Sequence, residues 1–109
     1  MALARRDEAQ MSKMRIEGSF VALITPFNQD GTVDFAAFEE LLKFQRDNGT
    51  SAVLILGSTG EISMLSKEER REIVSRTARM KSGDMKLFYG CTGGDTASTI
   101  EMLRFAKAE

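Results

Sequence analysis

The residues best suited to chemistry are two adjacent hydroxyls between glycines, Gly57-Ser58-Thr59-Gly60-Glu61. Such a segment suits a carboxylate ligand. Glycines let the backbone approach closely, successive N–H groups can form an anion-binding nest, and the hydroxyls add donors of their own. The same tetrapeptide is also an ordinary turn. It is not a phosphate loop, because the G-x-x-x-x-G-K-[ST] pattern and its lysine are missing. A second glycine-rich stretch, Gly90-Cys91-Thr92-Gly93-Gly94, holds the only cysteine. Cys91 has the chemistry of a nucleophile, yet the chain has no histidine to activate it, and a small residue at such a place is more often buried. The lack of histidine also removes every histidine-containing triad or zinc site, so no metal and no cofactor are expected. Tyr89, the one tyrosine, lies in an apolar run and reads as core. An imine-forming lysine must be desolvated at a pocket mouth. Lys43, Lys67, Lys81 and Lys107 sit among polar neighbours and Lys86 precedes an apolar run, so none is placed for that role. The run Lys67-Glu68-Glu69-Arg70-Arg71-Glu72 reads as a solvated helix face with i,i+4 pairs.

Composition bounds the scaffold that must hold these groups. A chain of 109 residues suffices for one domain with a modest core. Its 42% hydrophobic and 28% charged residues argue against disorder. Lys plus Arg number 15 against 16 Asp plus Glu, a net charge of -1 that gives no electrostatic case for nucleic acid or an acidic membrane. No apolar stretch approaches the roughly 20 residues that span a bilayer. A single cysteine excludes an internal disulfide and is compatible with a reducing cytoplasm. Residues 1–15 are polar and Met-rich, without the apolar segment of a secretory signal, and read as a flexible leader. The remaining residues, 16–109, are expected to form the folded part.

Three continuously apolar runs, Phe20 to Ile24, Ala52 to Leu56 and Leu87 to Tyr89, read as strands of a parallel sheet covered on both faces. Helical patterns separate them. The first opens at the N-cap candidate Asp34, carries Phe35, Phe38, Leu41 and Leu42 on one stripe, and ends at Gly49. A capping box, Ser66 with Glu69, opens the next, which carries Ile73, Val74, Thr77 and Met80 inward and stops at Gly83. A third starts at Asp95 or Thr96, points Ile100, Leu103 and Ala106 inward, and shows no C-cap signal by Glu109. Strand positions 20, 53 and 87 repeat at a pitch of 33 to 34 residues, the spacing of right-handed βα units. Three such units fit a doubly wound sheet or a (β/α)₈ barrel. The first strand runs into Thr25-Pro26-Phe27 rather than G-x-G-x-x-G, which disfavours a dinucleotide fold.

The segments Gly18-Ser19-Phe20-Val21-Ala22-Leu23-Ile24-Thr25-Pro26-Phe27, Asp30-Gly31-Thr32-Val33-Asp34 and Gly57-Ser58-Thr59-Gly60-Glu61, followed by Leu65-Ser66 and Glu69, add a further signal. In that order and spacing the chain closely resembles the start of the dihydrodipicolinate synthase and N-acetylneuraminate lyase family. The resemblance runs from about Ile16 to the last residue and covers roughly 90 of the about 250 residues that a (β/α)₈ barrel usually takes. It implies an α/β fold, the first three βα units of a TIM barrel, incomplete in this chain. It also implies a lyase chemistry in which pyruvate, held as a lysine imine, condenses with an aldehyde or is released from such an adduct. By resemblance Thr59 would bind the pyruvate carboxylate in a subsite shaped by Gly57 and Gly60. Ser58 would touch the same substrate and relay protons to a catalytic tyrosine. That tyrosine and the imine lysine belong to later strands, beyond Glu109.

Synthases of this family usually carry Thr where Ser58 stands, whereas N-acetylneuraminate lyases and related sugar-acid aldolases often carry Ser. Ser58 widens the substrate question, but the rest of the segment looks more like the synthase. The resemblance thus implies 4-hydroxy-tetrahydrodipicolinate synthase, joining pyruvate to aspartate semialdehyde in lysine biosynthesis, with N-acetylneuraminate lyase or another 2-keto-3-deoxy sugar-acid aldolase as the alternative. A non-catalytic half-barrel assembly module is the other rival. The resemblance further implies a homo-oligomer with small-molecule substrates only. Feedback-sensitive synthases hold lysine with a His, an Asn and a Glu at positions that align with Arg70, Gly94 and Ser98, which lack those groups.

Overall fold

The structure is a computed structural model that describes residues 16–109, so the expected leader, residues 1–15, lies outside the described residues. Three strands, β1 (Phe20–Ala22), β2 (Ala52–Ile55) and β3 (Lys86–Tyr89), form one parallel sheet in chain order. Three helices of 13 residues alternate with them: α1 (Phe35–Asp47), α2 (Lys67–Arg79) and α3 (Thr96–Ala108). Consecutive parallel neighbours need a crossover, and each helix-bearing connection supplies one.

Each helix begins where a side chain takes up an otherwise unpaired N–H. Asp34 accepts from the Ala37 amide at 3.0 Å and Asp95 from the Ser98 amide at 2.7 Å. Ser66 and Glu69 close both halves of the capping box, at 3.1 and 2.9 Å. Such caps contribute about 1 kcal/mol each. After α1 the chain turns at Gly49, whose φ of 83° favours glycine. Helix α2 stops at Arg79 with Met80 as its C-cap, four residues before Gly83. Gly83 serves the following turn instead, with φ 67°.

Side chains alternate across a strand, so Val21, Val53, Ile55, Leu87 and Tyr89 share one face of the sheet. That face meets the buried stripes of the helices: Phe38 and Leu42 of α1, Ile73, Val74 and Thr77 of α2, and Met102 of α3. The other face is open, which corrects the expectation of strands covered on both sides. Phe20, at 45% exposure, and Leu54, at 37%, lie on it with Ala22 and Phe88. All three helices pack on the first face, so a continuous apolar run here records an uncovered surface as well as a covered one.

The strands are also shorter than their runs, since β1 ends at Ala22 and β2 at Ile55. Leu23 still donates to the Leu54 carbonyl at 2.9 Å, but Ile24 is 53% exposed. Of the expected inward stripe of α3, Ala106 packs on the core and the other two positions are corrected. Ile100 and Leu103 are exposed, at 43% and 53%, and the stripe that packs is Met102, Phe105 and Ala106. Contact with α2 sets this rotation: Arg71 lies over the Phe105 ring, 5.2 Å from its centre, and pairs with Glu101.

Candidate functional site

The Gly57–Glu61 loop leaves the C-terminal end of β2, the end that carries active sites in parallel βα barrels. Its two flanks are unusual. Leu56 and Glu61 both take the left-handed backbone, with φ 62° and 59°, although neither is glycine. No sequence signal marks either residue, and leucine in particular avoids this conformation. Between them, Ser58 and Thr59 are exposed while Gly60 is buried. A side chain at Gly60 would begin 3.2 Å from the Leu56 amide nitrogen and 3.3 Å from the Leu23 carbonyl, so glycine lets the loop lie against the strand ends. A side chain at Gly57 would meet Leu54, so glycine lets the chain turn close beside that side chain. The Glu61 amide closes the turn onto the Ser58 carbonyl at 3.0 Å, and the chain continues through a 3₁₀ turn, Ile62–Met64, to the α2 cap.

The second glycine loop abuts the first. Gly90 donates to the Ile55 carbonyl at 2.8 Å, and a Cβ on it would fall 2.0 Å from the Leu56 carbonyl oxygen. Cys91, just beyond, is buried, and that burial pushes its thiol above the ordinary value. It lines a cavity of about 230 Å³ between the starts of α2 and α3, together with Leu65, Lys67, Arg70, Gly94 and Ser98. The three positions aligned with the effector site, Arg70, Gly94 and Ser98, thus meet around one cavity, which Ser58 and Thr59 do not line.

The charge run at the start of α2 is more structured than a solvated face. Arg70 donates to the carbonyls of Leu65, at 3.1 Å, and Thr92, at 3.4 Å, joining the two loops. Lys67 and Arg71 both reach Glu101 of α3 at 2.6 Å, and Glu69 completes the cap. Only Arg76 with Glu72 makes the expected i,i+4 pair on this helix. The hydrogen bond from Lys67, then its charge, holds the Glu101 carboxyl below its ordinary value. Tyr89 packs against the core as expected, with its hydroxyl 2.9 Å from that of Thr77, and burial raises it above the usual phenol range. Lys43, Lys67, Lys81 and Lys107 are exposed, and Lys86 is half-buried at the opposite end of β3. Among the described residues no group of three His, Cys, Asp or Glu could hold a metal ion.

A parallel sheet with all its helices on one face, rather than on both as in a doubly wound fold, and a hydroxyl-bearing glycine loop at a strand's C-terminal end make up the first units of a TIM-type barrel. The profile of the dihydrodipicolinate synthetase family matches residues 15–109, and the chain belongs to that family. It is 44% identical over 98 residues to a 4-hydroxy-tetrahydrodipicolinate synthase of Chlorobaculum parvum, an alignment that takes 89% of this chain and 33% of the relative. A dihydrodipicolinate synthase of Acinetobacter baumannii, solved with pyruvate and inhibited by chloride, superimposes with a TM-score of 0.81 at 33% identity. That match covers 86% of this chain and 32% of the other. The N-acetylneuraminate lyase of Proteus mirabilis superimposes with a TM-score of 0.80 at 29% identity, over 86% of this chain and 32% of that one. The chain therefore spans about a third of the relatives it matches.

Proposed function

We propose that this chain is the N-terminal part of a pyruvate-dependent Schiff-base lyase, with 4-hydroxy-tetrahydrodipicolinate synthase as the favoured activity. In this reading Thr59 binds the pyruvate carboxylate, Gly57 and Gly60 shape the subsite, and Ser58 relays a proton between the reacting centre and a tyrosine of the later barrel. The observation that carries it is the loop itself. Ser58 and Thr59 are exposed at a strand's C-terminal end, between two left-handed residues. Strained backbone of that kind persists where a loop must present its groups in one arrangement. Pyruvate in the similar Acinetobacter baumannii structure supports the choice of keto acid.

The imine lysine is supplied by the rest of the barrel, since no described lysine is desolvated at the loop. The second substrate is an aldehyde, taken here as aspartate semialdehyde. Ser58 keeps the sugar-acid aldolases as the second reading, because a serine there is shared with many of them and the lyase of Proteus mirabilis is nearly as similar in fold. The working enzyme is a homo-oligomer in the cytoplasm, and the chemistry requires no nucleic acid or membrane.

The test is borohydride trapping. With pyruvate, the 109-residue chain alone should gain no mass on any lysine. A chimera joining it to the remaining two-thirds of the Chlorobaculum parvum relative should gain one pyruvyl group and turn over aspartate semialdehyde. A stoichiometric adduct on the isolated chain, or a folded chimera that traps nothing, would sink the proposal.

A further inference from the structure

We infer that Thr25 is a positioning residue for the Gly57–Glu61 loop, its buried hydroxyl setting the direction in which Ser58 and Thr59 present their donors. The inference rests on the reading of that loop as a carboxylate site and extends it to a residue outside the loop. Thr25 is 3% exposed and donates to the Gly60 carbonyl at 2.6 Å, across 35 residues of sequence. The loop's own backbone bonds, Glu61 to Ser58 and Ile62 to Gly57, fix the shape of the turn. Neither ties the turn to β1. Thr25, three residues beyond the end of β1, does, and it holds the peptide group between Gly60 and Glu61, one residue after Thr59.

The brace behind Thr25 is itself well anchored. The next carbonyl, of Pro26, accepts from the Asp34 amide at 2.9 Å, and Asp34 caps α1. Phe27 bridges Val33, Asn28 donates to the Thr32 carbonyl at 2.7 Å, and Asp30 accepts from both the amide and the hydroxyl of Thr32. The Thr-Pro-Phe and Asp-Gly-Thr-Val-Asp segments are thus one clamp between the start of α1 and the tip of the loop. Gly60 has no side chain with which to resist rotation, and Leu56 and Glu61, which bracket the hydroxyls, sit in a disfavoured backbone region. A loop so strained needs an outside contact to keep its arrangement. Thr77 is the natural comparison: equally buried, its hydroxyl donates to the Ile73 carbonyl inside α2, far from the loop.

Hydrogen–deuterium exchange of the chimera with the Chlorobaculum parvum relative tests this, read on peptides spanning Gly57–Ile62 with and without millimolar pyruvate. Thr25→Val should speed exchange in that peptide at least about fivefold and raise the pyruvate concentration for half-protection at least about tenfold. Thr25→Ser should restore both, whereas Thr77→Val should lower the melting temperature and change neither. Thr25→Cys, of similar volume with a weaker donor, should fall between valine and serine and replaces valine if that variant does not fold. A valine variant that melts lower while the loop peptide exchanges as in the wild type would overturn the inference. Lack of pyruvate protection in the wild-type chimera would instead count against the carboxylate reading, with the loop exchange rates still deciding the role of Thr25.

Discussion

Leu56 and Glu61, five positions apart, share the left-handed backbone at φ 62° and 59° and bracket the two exposed hydroxyls of Ser58 and Thr59. Such residues cost of order 1–3 kcal/mol each and persist only when their surroundings over-determine them. Here those surroundings are the Thr25 hydroxyl, the close approach of Gly60 to Leu23 and Leu56, and the Gly90 contact.

The two hydroxyls should separate kinetically in the completed chimera. Thr59→Val should raise KM for pyruvate roughly ten- to a hundredfold, because a hydrogen bond to a charged group contributes about 1.5–3 kcal/mol. Ser58→Ala should mainly lower kcat, since removing a proton relay raises the barrier while leaving carboxylate binding in place. Steady-state kinetics in both substrates measure this, and unchanged constants in both variants would reduce the loop to a turn.

Lysine should neither bind in the cavity between α2 and α3 nor inhibit the chimera. Arg70 presents a guanidinium there, which repels the ammonium groups of lysine. Glu101, the carboxylate among the lining residues, is already held by Lys67 and Arg71, and Ser98 brings no charge. Calorimetric titration should give no saturable heat, and saturable lysine binding would contradict the argument.

The link between α2 and α3 should weaken in acid. Hydrogen bonding and charge from Lys67 hold the Glu101 carboxyl below its ordinary value of 4.5. Its contribution to stability is therefore complete above that value and is lost as pH falls through the lower, folded-state value. Glu101→Gln should melt slightly below the wild type at pH 7, and the gap should shrink as the pH falls below 4.5. Because the pair is exposed, salt should shrink the gap at neutral pH as well. A gap independent of pH and salt would assign Glu101 a packing role.

Helix starts were the most legible part of the fold in the sequence, because Asp34, Ser66 with Glu69, and Asp95 act through local hydrogen bonds that a few residues determine. The stripes of α1 and α2 follow from their own periodicity. That of α3 does not, because Glu101 and Phe105 are drawn to Arg71 and turn Ile100 and Leu103 outward. Gly60 and Thr59 were visible as a loop, but the clamp from Thr25 spans 35 residues and leaves no local pattern. The strain at Leu56 was equally hidden, since local preference opposes it.

The open sheet face should make the isolated chain self-associate. Phe20 and Phe88 lie on strands that do not pair, yet their rings meet across β2 at 5.8 Å, above a surface that Ala22 and Leu54 complete. This apolar patch extends over a cavity of about 370 Å³ and continues to β1 and β3, the edge strands of the sheet among the described residues. Patches of that kind are normally covered, and open parallel edges are templates for another strand. Face-to-face pairing of two copies would shield Phe20, Leu54 and Phe88 at once. Pairing along the edges would instead grow without closing, giving larger aggregates. A charge at Leu54 separates the two outcomes, because its side chain points onto the face and leaves the edge strands untouched. Leu54→Asp should shift a dimer to monomer by at least about tenfold in dissociation constant, while leaving edge-driven aggregation intact. Light scattering at micromolar concentration reads both, and a sharp 12.1 kDa wild-type monomer with cooperative unfolding would show that the three units suffice alone.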